Sequence, residues 1–104
     1  MSSVFDALSH PIRREVLELL KQGGRSAGEL ASHFDVSKPT MSGHFAKLKA
    51  AGLIRGENKA GTITYTLNMS TLEEAVMGFM GRMGVKRAEK GGEAGSAPAE
   101  GESK

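Results

Sequence analysis

Polar and basic side chains are concentrated between residues 37 and 65 of this 104-residue chain. This block holds five basic residues and one acidic residue, a net charge of +4, whereas the whole chain carries +2. Hydroxyl groups stand beside these cations at Thr40 and Ser42. A local excess of positive charge attracts the phosphate backbone of nucleic acid. A solvated basic surface would give the same count, so charge alone favours neither interpretation.

Nine residues of the block are suited to a DNA contact. Hydroxyls bond base edges or phosphates, cations neutralise phosphates, and a helix N-terminus favours phosphate oxygens. A glycine inside a helix costs about 1 kcal/mol relative to alanine, which makes sense where another backbone comes close. The candidates are Lys38, Pro39, Thr40, Ser42, Gly43, His44, Lys47, Arg55 and Lys59.

Three of these candidates also have a purely structural interpretation. His44 could be a helix-surface histidine bonded to a neighbour, and Gly43 a tolerated weak point in a helix. Arg55 could be a cation on the surface of a strand, although it and Lys59 are also placed for phosphate or minor-groove contact. Upstream of the block, we expect Arg13 and Arg14 to form a solvated surface, although one of the two could reach a phosphate.

The sequence shows no arrangement of residues for catalysis or soft-metal binding. It contains no cysteine, which excludes disulfides, thiolate ligands and a cysteine nucleophile together. His10, His33 and His44 lie on three different segments, while a soft-metal site needs converging sulfur or nitrogen ligands. No paired carboxylates, Ser–His constellation or phosphate-binding loop is visible in the sequence. We therefore expect no enzyme activity, no metal and no cofactor.

Helical periodicity dominates the first half of the chain, and two strands follow it. Pro11 opens a helix, Ser26 and Glu29 match a capping box, and Ser37 is typical of an N-cap. The predicted helices span residues 4–8, 11–21, 26–34, 37–51 and 72–83, and the predicted strands 53–57 and 63–67 are joined by a loop at 58–62.

This order of elements predicts a winged helix-turn-helix. The short turn between helices 26–34 and 37–51 has helix-turn-helix geometry, and the hairpin that follows would form a wing. We expect a mainly α fold with a small β-hairpin, in the order α-α-α-α-β-β-α. The second of these helices and the hairpin both lie in the basic block, which strongly favours DNA binding over a merely solvated surface.

The composition changes near the C-terminus. From about Lys86 the chain is rich in Gly, Ala, Glu, Ser and Lys and contains almost nothing apolar, so it cannot bury enough surface to offset the entropy of ordering. We predict a DNA-binding and dimerisation domain at residues 1–85 and a disordered polar tail at 86–104. A core of that size is small and gains from a partner subunit.

Several motifs in this order resemble those of the ArsR-type winged-helix repressors. They are Ser9–Leu20 (SHPIRREVLELL), Ser37–Phe45 (SKPTMSGHF) followed by Leu48, Ala51–Ile54 (AGLI) and Tyr65–Asn68 (YTLN). The resemblance covers about residues 3–83. It implies a repressor whose fourth helix enters the major groove of operator DNA.

The resemblance also implies a homodimer formed by the first and last helices. The last helix carries a complete apolar stripe at helical spacing. The residues expected at the interface are Val4, Phe5, Leu8, Leu72, Val76, Phe79, Met80 and Met83.

The chain departs from the metal sensors of that family. Where they carry Cys-x-Cys sites or His/Asp clusters, the third helix here offers Glu29, His33 and Asp35, and the last helix only the adjacent Glu73 and Glu74. Metal sensing is therefore not carried over. The sequence is most similar to the branch without metal ligands, which includes autorepressors of toxin-immunity operons.

These observations predict a sequence-specific, dimeric repressor that binds a pseudo-palindromic operator, including one in its own promoter. The partners would be double-stranded DNA and a second copy of the chain, with no membrane. We expect a cytoplasmic location, because the N-terminus lacks signal-peptide features and no apolar run approaches the roughly 20 residues that span a bilayer. An alternative is a winged helix that binds proteins instead of DNA.

Overall fold

Five helices and three short strands make up the computed structural model, which describes residues 3–84. They are α1 (Ser3–Ala7), α2 (Pro11–Leu20), β1 (Arg25–Ser26), α3 (Ala27–Ala31), α4 (Lys38–Ala50), β2 (Ile54–Lys59), β3 (Thr62–Leu67) and α5 (Met69–Arg82). The predicted mainly α order with a hairpin is confirmed, with β1 as an addition. The proposed tail at 86–104 and the domain boundary at 85 lie outside the described residues.

Local side-chain hydrogen bonds set where three helices begin. At α3 the Ser26 hydroxyl accepts from the Glu29 N–H at 3.0 Å, while the Glu29 carboxylate accepts from the Ser26 N–H at 3.1 Å. The Ser37 hydroxyl accepts from the Thr40 N–H at the start of α4. At α2 the cap is His10, whose Nδ1 accepts from the Ile12 N–H at 3.1 Å. These bonds satisfy N–H groups that have no partner inside the helix. The two serine caps confirm the sequence prediction.

Helix α3 is shorter than the predicted span 26–34. It ends at Ala31, and the Ser32 hydroxyl donates to the Glu29 carbonyl oxygen at 2.7 Å. A serine bonded in this way competes with the backbone bonds that would continue the helix. The residues up to Ser37 therefore form the turn of the helix-turn-helix.

A three-stranded antiparallel sheet with β3 in the centre closes one side of the domain. Strands β2 and β3 pair from Ile54 opposite Leu67 to Lys59 opposite Thr62, so the predicted loop at 58–62 shrinks to a two-residue turn. Both turn residues, Ala60 and Gly61, have positive φ, which matches the right-handed twist of a hairpin. Strand β1 has only two residues, too few to show a sequence periodicity.

The core lies between the helices and this sheet. Its buried apolar residues are Val4, Ala7, Val16, Leu17, Leu20, Leu30, Met41, Phe45, Leu48, Leu53, Ile54 and Tyr65. The Tyr65 ring of β3 packs 4.8 Å from the Phe45 ring of α4, measured between centroids. This contact attaches the wing, the β2–β3 hairpin, to α4.

Helix α5 contributes little to that core. None of its residues is buried, although Leu72 and Ala75 pack against the core and the Phe79 ring lies 5.4 Å from the Phe5 ring of α1. Its exposed large apolar residues are Met69, Val76, Met77, Phe79 and Met83. None of the helices in residues 3–84 has the length and apolar character needed to cross a membrane.

Replacing Gly56 by alanine should destabilise the domain, because a Cβ at that position would lie 2.9 Å from Cε1 of the Tyr65 ring. Moving the ring would disturb its packing on Phe45, so the free energy of unfolding should fall by about 1–3 kcal/mol. Urea denaturation followed by circular dichroism measures this change.

Gly28→Ala is the matched control, since the atom nearest to its added Cβ is the Ser26 hydroxyl at 4.0 Å. Its free energy of unfolding should stay the same or rise by up to about 1 kcal/mol. Equal effects of the two substitutions would contradict the close packing between β2 and the Tyr65 ring.

Candidate nucleic-acid interface

Helix α4 has an inner side occupied by the core and an outer side open to solvent. The inner side consists of Met41, His44, Phe45 and Leu48, all buried. The exposed residues are Lys38, Pro39, Thr40, Ser42, Gly43, Ala46, Lys47, Lys49 and Ala50. Eight of the nine predicted DNA contacts are exposed, six of them on this helix and two, Arg55 and Lys59, on the wing.

His44 is the exception, because it is buried and offers little surface for the predicted DNA contact. Its side chain is directed inward, leaving the residue only 8% exposed, and its Nδ1 lies 3.1 Å from the Arg13 guanidinium. The sequence held a signal for this, since His44 is three positions after Met41 and four before Leu48 and so shares their helix face. Arg13, expected in solvent, is buried too.

The exposed cations are either open or held by weak surface pairs. Lys47 Nζ lies 3.3 Å from the Asp6 carboxylate, and Lys59 Nζ lies 3.6 Å from the Glu57 carboxylate. All four side chains are more than half exposed, and such pairs contribute at most about 1 kcal/mol. Both lysines can therefore exchange a carboxylate for a phosphate at little cost.

The hydroxyls at the start of α4 differ in their environment. Thr40 accepts from the Ser37 hydroxyl at 2.9 Å, so the position of its side chain is set by the helix cap. Ser42 is exposed beside the groove between α3 and α4, which Lys38 also lines. Ser42 is thus the hydroxyl best placed to reach a base edge.

Nothing in the domain itself requires a glycine at position 43. A Cβ there would meet no atom within 4 Å, and its φ is not in the left-handed region. The glycine therefore lowers the stability of the helix, and no packing contact inside residues 3–84 requires it. Close approach of another molecule's backbone is the interpretation that this open surface favours.

Sequence reasoning missed Ala46 and Lys49 on the exposed side of α4. Counting seven residues on from the exposed Pro39 and Ser42 places them on the same exposed side. The small side chain of Ala46 extends the exposed surface of short side chains formed by Pro39, Gly43 and Ala50. Lys49 adds a cation at the edge of that surface.

The residues predicted for a dimer interface divide into three groups. Val4 belongs to the chain's own core, being 8% exposed, so little of its surface is left for a partner. Leu8 and Leu72 are half-buried against that core. Phe5 and Met80 are also half-buried but are not packed against that core, and Val76, Phe79 and Met83 are exposed.

Two of the histidines that the sequence places far apart come together. The centroids of the His10 and His44 rings lie 4.5 Å apart. The pKa of His44 is lowered below its ordinary value of 6.5, mainly by burial and to a smaller extent by electrostatic interaction with His10 and then with Arg13. Over residues 3–84, no three His, Cys, Asp or Glu side chains are grouped so as to hold a metal ion.

Comparison with known proteins agrees with this geometry. Residues 8–57 match a helix-turn-helix domain family. The chain is 43% identical to the transcriptional repressor SdpR of Bacillus subtilis over 76 residues, which cover 73% of this chain and 84% of that protein. It is 34% identical to the arsenical resistance operon repressor of Staphylococcus xylosus, with 70% of each chain covered. The chain belongs to the ArsR/SmtB family. An ArsR-like transcriptional regulator from Rhodococcus sp. RHA1 superimposes with a TM-score of 0.68 at 32% identity, covering 79% of this chain and 76% of that one.

As an ArsR/SmtB protein, the chain is a DNA-binding transcriptional regulator of the winged-helix type. In this ArsR/SmtB domain α3 and α4 form the helix-turn-helix, with α4 as the recognition helix, and β2 and β3 form the wing. The basic residues counted in the sequence lie on the exposed surface of those two elements.

Replacing Gly43 by alanine should stabilise this ArsR/SmtB domain and weaken its DNA binding at the same time. The added methyl group meets open space, so the free energy of unfolding should rise by about 1 kcal/mol. On DNA the same methyl group would hold the duplex away from α4. Chemical denaturation and fluorescence anisotropy with labelled duplex measure the two effects.

Gly81→Ala in α5 is the matched control, since it too adds a methyl group in open space within a helix. It should raise stability and leave DNA affinity unchanged. If Gly43→Ala binds DNA as well as wild type, no backbone approaches this position.

Proposed function

We propose that this protein is a homodimeric transcriptional repressor that binds a pseudo-palindromic operator, including one in its own promoter, and that it catalyses no reaction. The observation that carries the proposal is the exposed outer side of α4. Its side chains are short, its edges are basic, and a basic wing follows it in the sequence. A surface of this shape fits a major groove, and its cations fit the flanking phosphates.

The exposed apolar residues of α5 support a dimer. Phe79 is 44% exposed and Met83 61% exposed, although both would be expected in a protein interior. Phe5 of α1 extends the same surface through its contact with Phe79. A second copy of the chain would cover this surface in a symmetric interface, of which stable examples bury roughly 1,200–2,000 Å² in total.

Dimer symmetry would determine the form of the operator. Two recognition helices related by a two-fold axis read half-sites of opposite orientation, spaced about 10 bp apart or by a multiple of that distance. The relatives SdpR and the arsenical resistance operon repressor are both named as repressors. Binding of the purified protein to the intergenic DNA upstream of its own gene tests the autoregulatory part of the proposal.

Phe79→Glu should convert the dimer to a monomer and abolish tight operator binding, because a carboxylate would be placed inside an apolar interface. Sedimentation velocity at micromolar concentration and a DNA-binding titration measure the two losses. Circular dichroism checks that the Phe5–Phe79 contact was not needed for folding.

Met83→Glu tests the same interface without altering that ring contact and should act in the same direction. Glu74→Gln, a polar exchange at an exposed position of α5, is the control and should stay dimeric. A wild-type protein that sediments as a monomer at micromolar concentration would contradict the dimer.

Ser42→Ala and Lys59→Ala should separate base reading from phosphate contact. Loss of the Ser42 hydroxyl should cost about 1–3 kcal/mol on the operator and much less on random DNA. Loss of the Lys59 cation on the wing should weaken both about equally and reduce the salt slope by about one unit per subunit. Titrations on operator and scrambled duplex at several salt concentrations measure these differences.

If Ser42→Ala loses affinity equally on both duplexes, Ser42 anchors a phosphate and does not read a base. If the wild-type protein shows no salt-dependent binding to any duplex, the winged helix is a protein-interaction module and the proposed function is wrong.

A further inference from the structure

Beneath the recognition helix, Arg13 of α2 joins three segments of the chain. Its Nε donates to the Ala7 carbonyl oxygen at 2.8 Å, and one terminal nitrogen (Nη2) donates to the Asp6 carbonyl oxygen at 3.2 Å, both in α1. The other terminal nitrogen (Nη1) lies 3.1 Å from Nδ1 of His44 in α4. Arg13 is buried, and within residues 3–84 no carboxylate forms an ion pair with it.

These bonds define the protonation state of both histidines. A guanidinium can only donate hydrogen bonds, so Nδ1 of His44 must accept and carries no proton. Nδ1 of His10 accepts from the Ile12 N–H as the cap of α2, so it carries none either. With each ring in its neutral form, the His44 ring packs against His10 and holds the Arg13 guanidinium.

We propose that Arg13 is a positioning residue, which holds the recognition helix in its DNA-binding orientation through neutral His44, and that proton uptake by His44 releases this hold. The proposal rests on the proposed function of α4 in DNA binding. A proton on Nδ1 of His44 removes the acceptor of the Arg13 bond and leaves two cations 3.1 Å apart.

The other charged groups around the cluster do not offset this change. The Asp6 carboxylate of α1 is paired with Lys47 of α4 at the surface. On β2, which also packs against α4, the charged residues Arg55, Glu57 and Lys59 are exposed, and Glu57 pairs with Lys59. His44 therefore faces Arg13 and His10, two groups that oppose its protonation.

The direction of the pH effect follows from the lowered pKa of His44 in the folded chain. The unfolded chain takes up this proton first as the pH falls through the ordinary value of 6.5, so acid lowers the free energy of unfolding. DNA affinity should fall at lower pH, where the folded chain itself takes up the proton, because the folded state with protonated His44 lacks the bond that holds α4 to α2 and α1.

The test compares wild type with a His10→Asn/His44→Gln double variant. Asparagine is a good N-cap, and the glutamine side-chain oxygen can accept from Arg13, yet neither residue titrates. The probe is a duplex that wild type selects from a random library at about pH 8, and its affinity is measured down to about pH 5.5, across the range in which histidine titrates. Circular dichroism at each pH monitors folding, and exposed His33 supplies the control variant His33→Gln.

Wild type and His33→Gln should stay folded and lose up to about tenfold in affinity for the selected duplex on acidification to about pH 5.5, the limit for a histidine whose pKa in the folded chain lies below 6.5. The double variant should keep its affinity. A lysine lacks the planar guanidinium group through which Arg13 donates to three acceptors. Arg13→Lys should therefore bind DNA more weakly at about pH 8 and show a flatter pH profile.

Equal pH profiles for wild type and the double variant would overturn the proposal, as would loss of the circular dichroism signal in parallel with DNA binding. Removal of the pH dependence by His33→Gln would also overturn it. If wild type enriches no duplex at about pH 8, the proposed function itself fails, and this outcome is distinct from binding that is specific but insensitive to pH.

Discussion

Burial of the inner side of α4 is the constraint on which the rest of the domain depends. Met41, Phe45 and Leu48 lie in the common core, where α4 contacts α1, α2 and β2. Apolar burial contributes about 25 cal/mol per Å², so this side of the helix cannot turn outward without losing the core. The outer side is thereby left as the surface available to DNA, and the Phe45–Tyr65 contact fixes the wing beside it.

The same helix is held by polar groups that would be costly if left unpaired. A buried guanidinium needs acceptors, and Arg13 finds them in two α1 carbonyl oxygens and a neutral His44 ring. Helix α1 has five residues, too few to be stable alone. Phe5 of α1 contacts Phe79 of α5, and Arg13 of α2 connects α1 to His44 of α4. Helix α1 therefore joins the exposed apolar surface of α5 to the recognition helix. An interface at α5 and a duplex at α4 would therefore act on one connected structure.

Much of the candidate site could be predicted from the sequence, but the burial of two of its residues could not. The exposed cations and hydroxyls of α4 and the wing were found because charge, caps and periodicity are local properties. Val4 and His44 were assigned to surfaces because each was judged by its residue type and its neighbours in sequence. The burial of each depends on a segment far along the chain: Val4 lies in a core formed by several elements, and His44 meets Arg13, 31 positions away.

The sequence alone determined the order of the helices, the serine caps, the hairpin and the basic character of its central block, because each depends on residues a few positions apart. Only the tertiary structure decided that β1 joins the sheet and that the His10 ring contacts the His44 ring. Strand β1 gains its partners from β3, some 40 residues away, and no local pattern marks a two-residue strand. The histidine pair likewise exists only because α2 and α4 pack together, so the contact between its two rings is a property of the fold.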